Sequence, residues 1–130
     1  MSIALSQIAV VAAGGALGAA GRFAVGSLMG HWLGPDYPWG TLTVNILGSI
    51  AMGLLIGLFA HFGTTQSIRL FLAVGFLGAF TTFSTFSLDV ITLIERGETT
   101  FSALYIAGSM VGAIGGLFLG LHLTRMVFSQ

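Results

Sequence analysis

Five hydroxyls and two glycines lie within an uncharged run of this 130-residue chain, Gly75-Phe-Leu-Gly-Ala-Phe-Thr-Thr-Phe-Ser-Thr-Phe-Ser87. No charge occurs between Leu70 and Leu88, so the run can cross a hydrocarbon core of roughly 30 Å at about 1.5 Å per residue. Polar groups at that depth must find partners. In one arrangement the hydroxyls bond back to carbonyls a turn earlier, giving a bent but continuous buried helix that glues its neighbours together. Gly75 and Gly78 would weaken such a helix by ~1 kcal/mol each relative to Ala. In the other, the helix breaks near Gly78 to Thr82, and freed carbonyls and hydroxyls line an ion site. The clustering of polar groups at mid-span favours the second.

Other polar groups share faces at helical spacing. Thr41, Asn45, Ser49, Gly53 and Gly57 follow at steps of four, which places them on one side of a helix. The Asn45 amide offers two donors and an acceptor to a dry pathway, or an interhelical hydrogen bond worth on the order of 0.6 to 2 kcal/mol. Gly14, Gly18, Arg22, Gly26 and Gly30 form a second such stripe. It predicts a closely packed neighbour and one guanidinium, which either snorkels to the interface as an anchor or faces a vestibule, paired with a carboxylate or carbonyls. Tyr105, Gly108, Gly112, Gly116 and Gly120 form a third stripe, and Tyr105 and Ser109 could add donors. Asp89 is the acid nearest a membrane segment and is expected at a pore mouth or interface, since a buried unpaired carboxylate is costly. Eleven Phe include Phe80, Phe83 and Phe86 beside the hydroxyl cluster. Core packing accounts for such a stripe, but ring edges carry positive potential and could face an anion.

The elements that position these groups are membrane spans. The chain is 55% hydrophobic and 6% charged, with a mean hydropathy of +1.01, against roughly 25% charged residues in soluble domains. The pattern predicts an all-α integral membrane protein, one domain over 1–130, with helices at about 3–29, 40–62, 70–95 and 101–123. The first run lacks the basic leader of a signal peptide and is too long for one, so it reads as a retained span. The turn-rich 31–39 segment carries two prolines and aromatics suited to the headgroup level.

Net charge is zero, and neither Lys nor Cys occurs. That leaves no basic patch for nucleic acid, no disulfide, no thiolate metal site and no cysteine nucleophile. His31, His61 and His122 have no ligand spacing among them, and no nucleophile, base and orienting group fall together, so an enzyme is not expected. With four spans, Arg69 and Arg125 lie on one side and Arg22 and Arg96 on the other. Orientation follows Lys/Arg asymmetry, so a balance of two against two predicts insertion both ways up. An antiparallel homodimer with its two-fold axis in the membrane plane would then be possible. Four short helices enclose little by themselves, and glycine stripes supply association surfaces.

Gly40-Thr-Leu-Thr-Val-Asn45 followed by the 75–87 string closely resembles the Fluc/CrcB family of fluoride channels, with Arg22 in a glycine-rich first helix and a similar length. The resemblance covers essentially the whole chain. It implies a dual-topology homodimer of four-helix subunits in the cell inner (plasma) membrane, with two antiparallel pores that export fluoride passively and protect the cell from it. Asn45 would contribute to the pathway, Phe83 and Phe86 would present ring edges, and Ser84, Thr85, Tyr105 and Ser109 would form a polar track. Arg22, Thr41 and Asp89 would serve the vestibule or the structure. The break in the third helix would hold a central structural Na+ on the carbonyls of Gly78 and Thr81, one pair from each subunit. Two departures stand out: Asp89 replaces a common Glu, and Ala113 replaces a hydroxyl found in some members.

Weak, distributed donors of this kind could replace the tightly held water of fluoride without trapping the ion. The alternative is a small dual-topology proton-coupled multidrug exporter, which needs an embedded carboxylate, and the first such acid reached is Asp89. A structural assembly subunit would need only the glycine stripes and leaves the polar run unexplained.

Overall fold

The computed structural model describes residues 4–128, all of whose regular structure is helical; the expected first residue of the first span, Ile3, lies outside them. Four segments are long and apolar enough to cross a membrane: Leu5–Leu33, Trp39–Phe62, Gln66–Glu95 and Thr99–Phe128. The first is α1, the second α2 and the last α6. The third is composite. It opens with α3 (Gln66–Arg69), continues as a π-helical stretch over Leu70–Leu77, then α4 (Gly78–Phe80), and after two residues resumes as α5 (Phe83–Glu95).

Each span but the last ends at a glycine with positive φ: Gly34 at 89°, Gly63 at 76° and Gly97 at 79°. A residue without Cβ reverses the chain there without steric cost, and Gly34 and Gly63 donate their N–H groups to the carbonyls of Gly30 and Phe59. α1 runs to its glycine stop and α6 runs on to Phe128, so both extend past the expected ends near 29 and 123.

Apolar side chains drive little helix association where lipid is equally apolar, so close backbone packing takes over. α1 packs on the π-helical stretch and α2 on α6. A methyl on Gly18 would land on the carbonyl of Phe76, one on Gly53 on that of Leu117, and one on Gly120 on that of Ile50. The far ends of the stripes behave differently. Added methyls at Gly30 and Gly108 would meet nothing within 4 Å, so close packing covers only part of each predicted smooth face.

The interior is small. Phe86, Leu93 and Tyr105 form its cluster, with Tyr37, Leu42 and Val90 packed around them, while large apolar groups such as Phe23, Val111 and Phe118 point outward. Helices apolar on all sides suit a lipid or protein surround.

Substituting Gly53→Ala should force α2 from α6 and lower stability by about 1–3 kcal/mol. The same change at Gly30 should be neutral or stabilise by up to ~1 kcal/mol. Thermal unfolding in detergent followed by tryptophan fluorescence compares them, and equal midpoints would refute the close-packing account.

Candidate functional site

Helical backbone stops at Thr81 (φ −90°, ψ 159°) and Thr82 (φ −151°, ψ 123°). Leaving a helix in an apolar setting releases amides and carbonyls that need new partners. The Thr81 N–H and hydroxyl both donate to the Leu77 carbonyl at 3.1 Å. The Thr82 N–H donates to Asn45 Oδ1 at 2.7 Å, and Asn45 Nδ2 donates back to the Thr82 carbonyl at 3.0 Å. The Thr82 hydroxyl then accepts from the Thr85 N–H at 3.1 Å, an N-cap that starts α5. Arg22 Nε donates to the Ala79 carbonyl at 3.0 Å.

In an unbroken helix, the Thr82 and Thr85 amides would close turns onto the carbonyls of Gly78 and Thr81. Both amides are instead committed to Asn45 and to the Thr82 side chain. The break over Thr81 and Thr82 likewise leaves the Ala79 and Phe80 carbonyls without the helical donors of Phe83 and Ser84, so four successive carbonyls, Gly78 to Thr81, lose their helical partners. Arg22 takes that of Ala79, and freed oxygens of this kind are hard ligands.

Two cavities flank the break. The first, about 250 Å³, lies among Asn45, Thr81, Phe83, Phe86 and Ser109. One Asn45 amide hydrogen is held by Thr82, which leaves the second as a donor. Ser109 Oγ is buried without a hydrogen-bond partner among the described residues. Phe83 is 72% exposed and Phe86 6%, with ring centroids 5.5 Å apart. The second cavity, about 290 Å³, gathers Arg22, Thr41 and Thr85. Thr82 lines both.

Asp89 and Tyr105 lie beyond Phe86, outside both cavities. The fully buried Tyr105 packs at a tilt against Phe86, with ring centroids 5.2 Å apart, and donates its hydroxyl to Asp89 Oδ2 at 2.9 Å. Tyr37, from the turn between α1 and α2, meets the Tyr105 ring edge-on at 5.7 Å, and burial pushes its phenol above the usual range. Arg96 donates to the Asp36 carbonyl at 2.7 Å and to Glu98 at 3.2 Å, so it ties that turn to the end of the third span. Ser84 is exposed, 3.4 Å from the Thr82 hydroxyl, and Gly78 is exposed and lines neither cavity.

Sequence reasoning passed over Thr82 as an individual site residue, although it joins Asn45, Ser84 and Thr85. A Thr directly before a resumed apolar helix is an N-cap signal, and it was available in the motif.

A family model described as "CrcB-like protein, Camphor Resistance (CrcB)" matches residues 9–121. A Rhodospirillum centenum protein named fluoride-specific ion channel FluC is 54% identical over 122 residues, 93% of this chain and 97% of that protein. Proteins of the same name from Nitrobacter winogradskyi and Agrobacterium fabrum are each 50% identical, over 92% and 94% of this chain and 96% and 98% of their own lengths. With four helices able to span a bilayer and a full-length match of this kind, the chain is a multi-pass membrane protein that belongs to the CrcB/FluC family.

Proposed function

We propose that this protein is a fluoride-selective channel that lets cytoplasmic fluoride leave passively across the inner membrane. The observation that carries the reading is the first cavity, where the Asn45 amide, the unbonded Ser109 hydroxyl and the Phe83 and Phe86 rings converge without a fixed cation. Fluoride holds water tightly, so a pathway must offer replacement donors yet release the ion, and several neutral donors do both. The names of the curated relatives support the same substrate.

The working unit is an antiparallel homodimer with two pores. Its support is the balanced Arg distribution and the 72% exposure of Phe83, a pathway ring that one chain leaves largely uncovered. At the dimer centre the carbonyls of Gly78 and Thr81, one pair from each copy, would hold a structural sodium. The redirected amides of Thr82 and Thr85 make that donor set chemically suitable. When bound, sodium would add positive potential near an anion path.

Fluoride efflux from liposomes, read with an ion-selective electrode in the presence of a potassium ionophore, tests the reading. Fluoride should leave rapidly and chloride should not, and Phe83→Ile should slow fluoride roughly tenfold through loss of ring-edge contact while the dimer persists. Silent liposomes containing verified dimer would return the exporter and assembly-subunit readings, and proton-coupled uptake of a labelled organic cation would favour the exporter.

Replacing Asn45 with Ala removes both bonds to Thr82, so stability should fall by about 1–3 kcal/mol. Amide hydrogen exchange at Thr82 should quicken, and unchanged exchange would show that Asn45 does not hold the break. Protein dialysed into N-methylglucamine buffer should lose fluoride efflux and regain it with sodium; full efflux without sodium would rule out a structural ion.

A further inference from the structure

Hydroxyls on helices in an apolar setting ordinarily bond back one turn, and Thr81, Ser87, Thr92 and Thr124 in this chain do so, to the carbonyls of Leu77, Phe83, Leu88 and Gly120. Ser49 does not. Its hydroxyl hydrogen-bonds to no described residue, and the side chain lines the first cavity with Asn45 and Ser109. The Ser109 hydroxyl is also unbonded and buried, so α2 and α6 each present a free donor to one space. Ala113 borders the same cavity with only a methyl.

We infer that Ser49 is a further ion-contacting residue of the pathway, supplying from α2 a donor that complements Ser109 on α6. The inference rests on the channel reading and deepens it. Ser49 lies one turn after Asn45 on α2, so the two donors follow one another along the helix. An anion passing Asn45 meets Ser49 and Ser109 next, each neutral and each uncommitted to the backbone. The chemistry selects a small, strongly hydrogen-bonding anion, because hydroxyls with no protein partner compensate best for lost water at the ion with the highest charge density.

The test compares fluoride efflux from liposomes holding equal amounts of assembled wild-type protein, Ser49→Ala, Ser49→Thr and the Ser49→Ala/Ala113→Ser double variant, with assembly checked by size exclusion. Ser49→Ala should slow efflux about tenfold, the effect of one donor. Ser49→Thr keeps the hydroxyl and should stay near wild type, and the double variant should regain most of the rate by returning a hydroxyl to the same cavity. Wild-type rates in Ser49→Ala would overturn the inference. So would slowing that neither the threonine nor the relocated hydroxyl repairs, since that pattern belongs to a packing residue. A wild-type protein that released no fluoride would instead overturn the channel reading, before any variant is compared.

Discussion

A single side-chain amide, that of Asn45, supplies both the acceptor and the donor that Thr82 gives up when the third span leaves its helix. Everything around the break depends on that exchange. Because Asn45 takes the Thr82 amide, the Gly78 carbonyl loses its helical donor. Because the Thr82 hydroxyl caps α5, the Thr81 carbonyl loses its own. The same clamp orients Asn45, leaving its second amide hydrogen for the cavity beside Phe83 and Ser109. A water-exposed loop would satisfy the released groups from solvent. In an apolar surround they must be matched one by one.

Such a clamp works only if α2 and the third span are held in register, and glycine-mediated packing does this. Gly14 and Gly18 let the π-helical stretch approach α1 until backbone meets backbone. Arg22, the next residue of the same stripe, then reaches the Ala79 carbonyl just before the break. On the other side, Gly53 and Gly120 bring α2 and α6 together, so Asn45 and Ser109 border one cavity. Dispersion contacts at this distance are individually weak and collectively large, which lets a chain with few buried side chains keep polar groups in place.

The number of spans, their apolar character and the polar faces around Asn45 and Thr81 were legible in the sequence, because each is a local pattern of composition or periodicity. Partner choice was not. The stripe of Gly14, Gly18 and Arg22 indicated one face, but only the fold brings Arg22 to Ala79. Nothing local indicated that Tyr105 would bond Asp89, or that Arg96 would reach back to Asp36. The π-helical register of Leu70–Leu77 also escaped notice. It widens the turn without a Pro or charge to mark it, in a stretch where Gly75 seats closely against Val11 and Gly14 on α1. The glycine pattern overstated contact at Gly30 and Gly108, since periodicity gives a face but not the length over which a neighbour covers it.

The turns at the two ends of α2 are unequal as places to splice in foreign sequence. At the first, the Asp36 carbonyl is bound by Arg96 and Tyr37 packs on Tyr105, so an insertion would pull directly on the buried aromatic cluster. At the second, Gly63 reverses the chain with open space around it, and the Thr64 hydroxyl, among the described residues, bonds only to its neighbour Thr65. A reporter that reads out membrane sidedness, or a tether joining two copies, belongs at the second turn, where it is tolerated because little backbone there is tied to the interior.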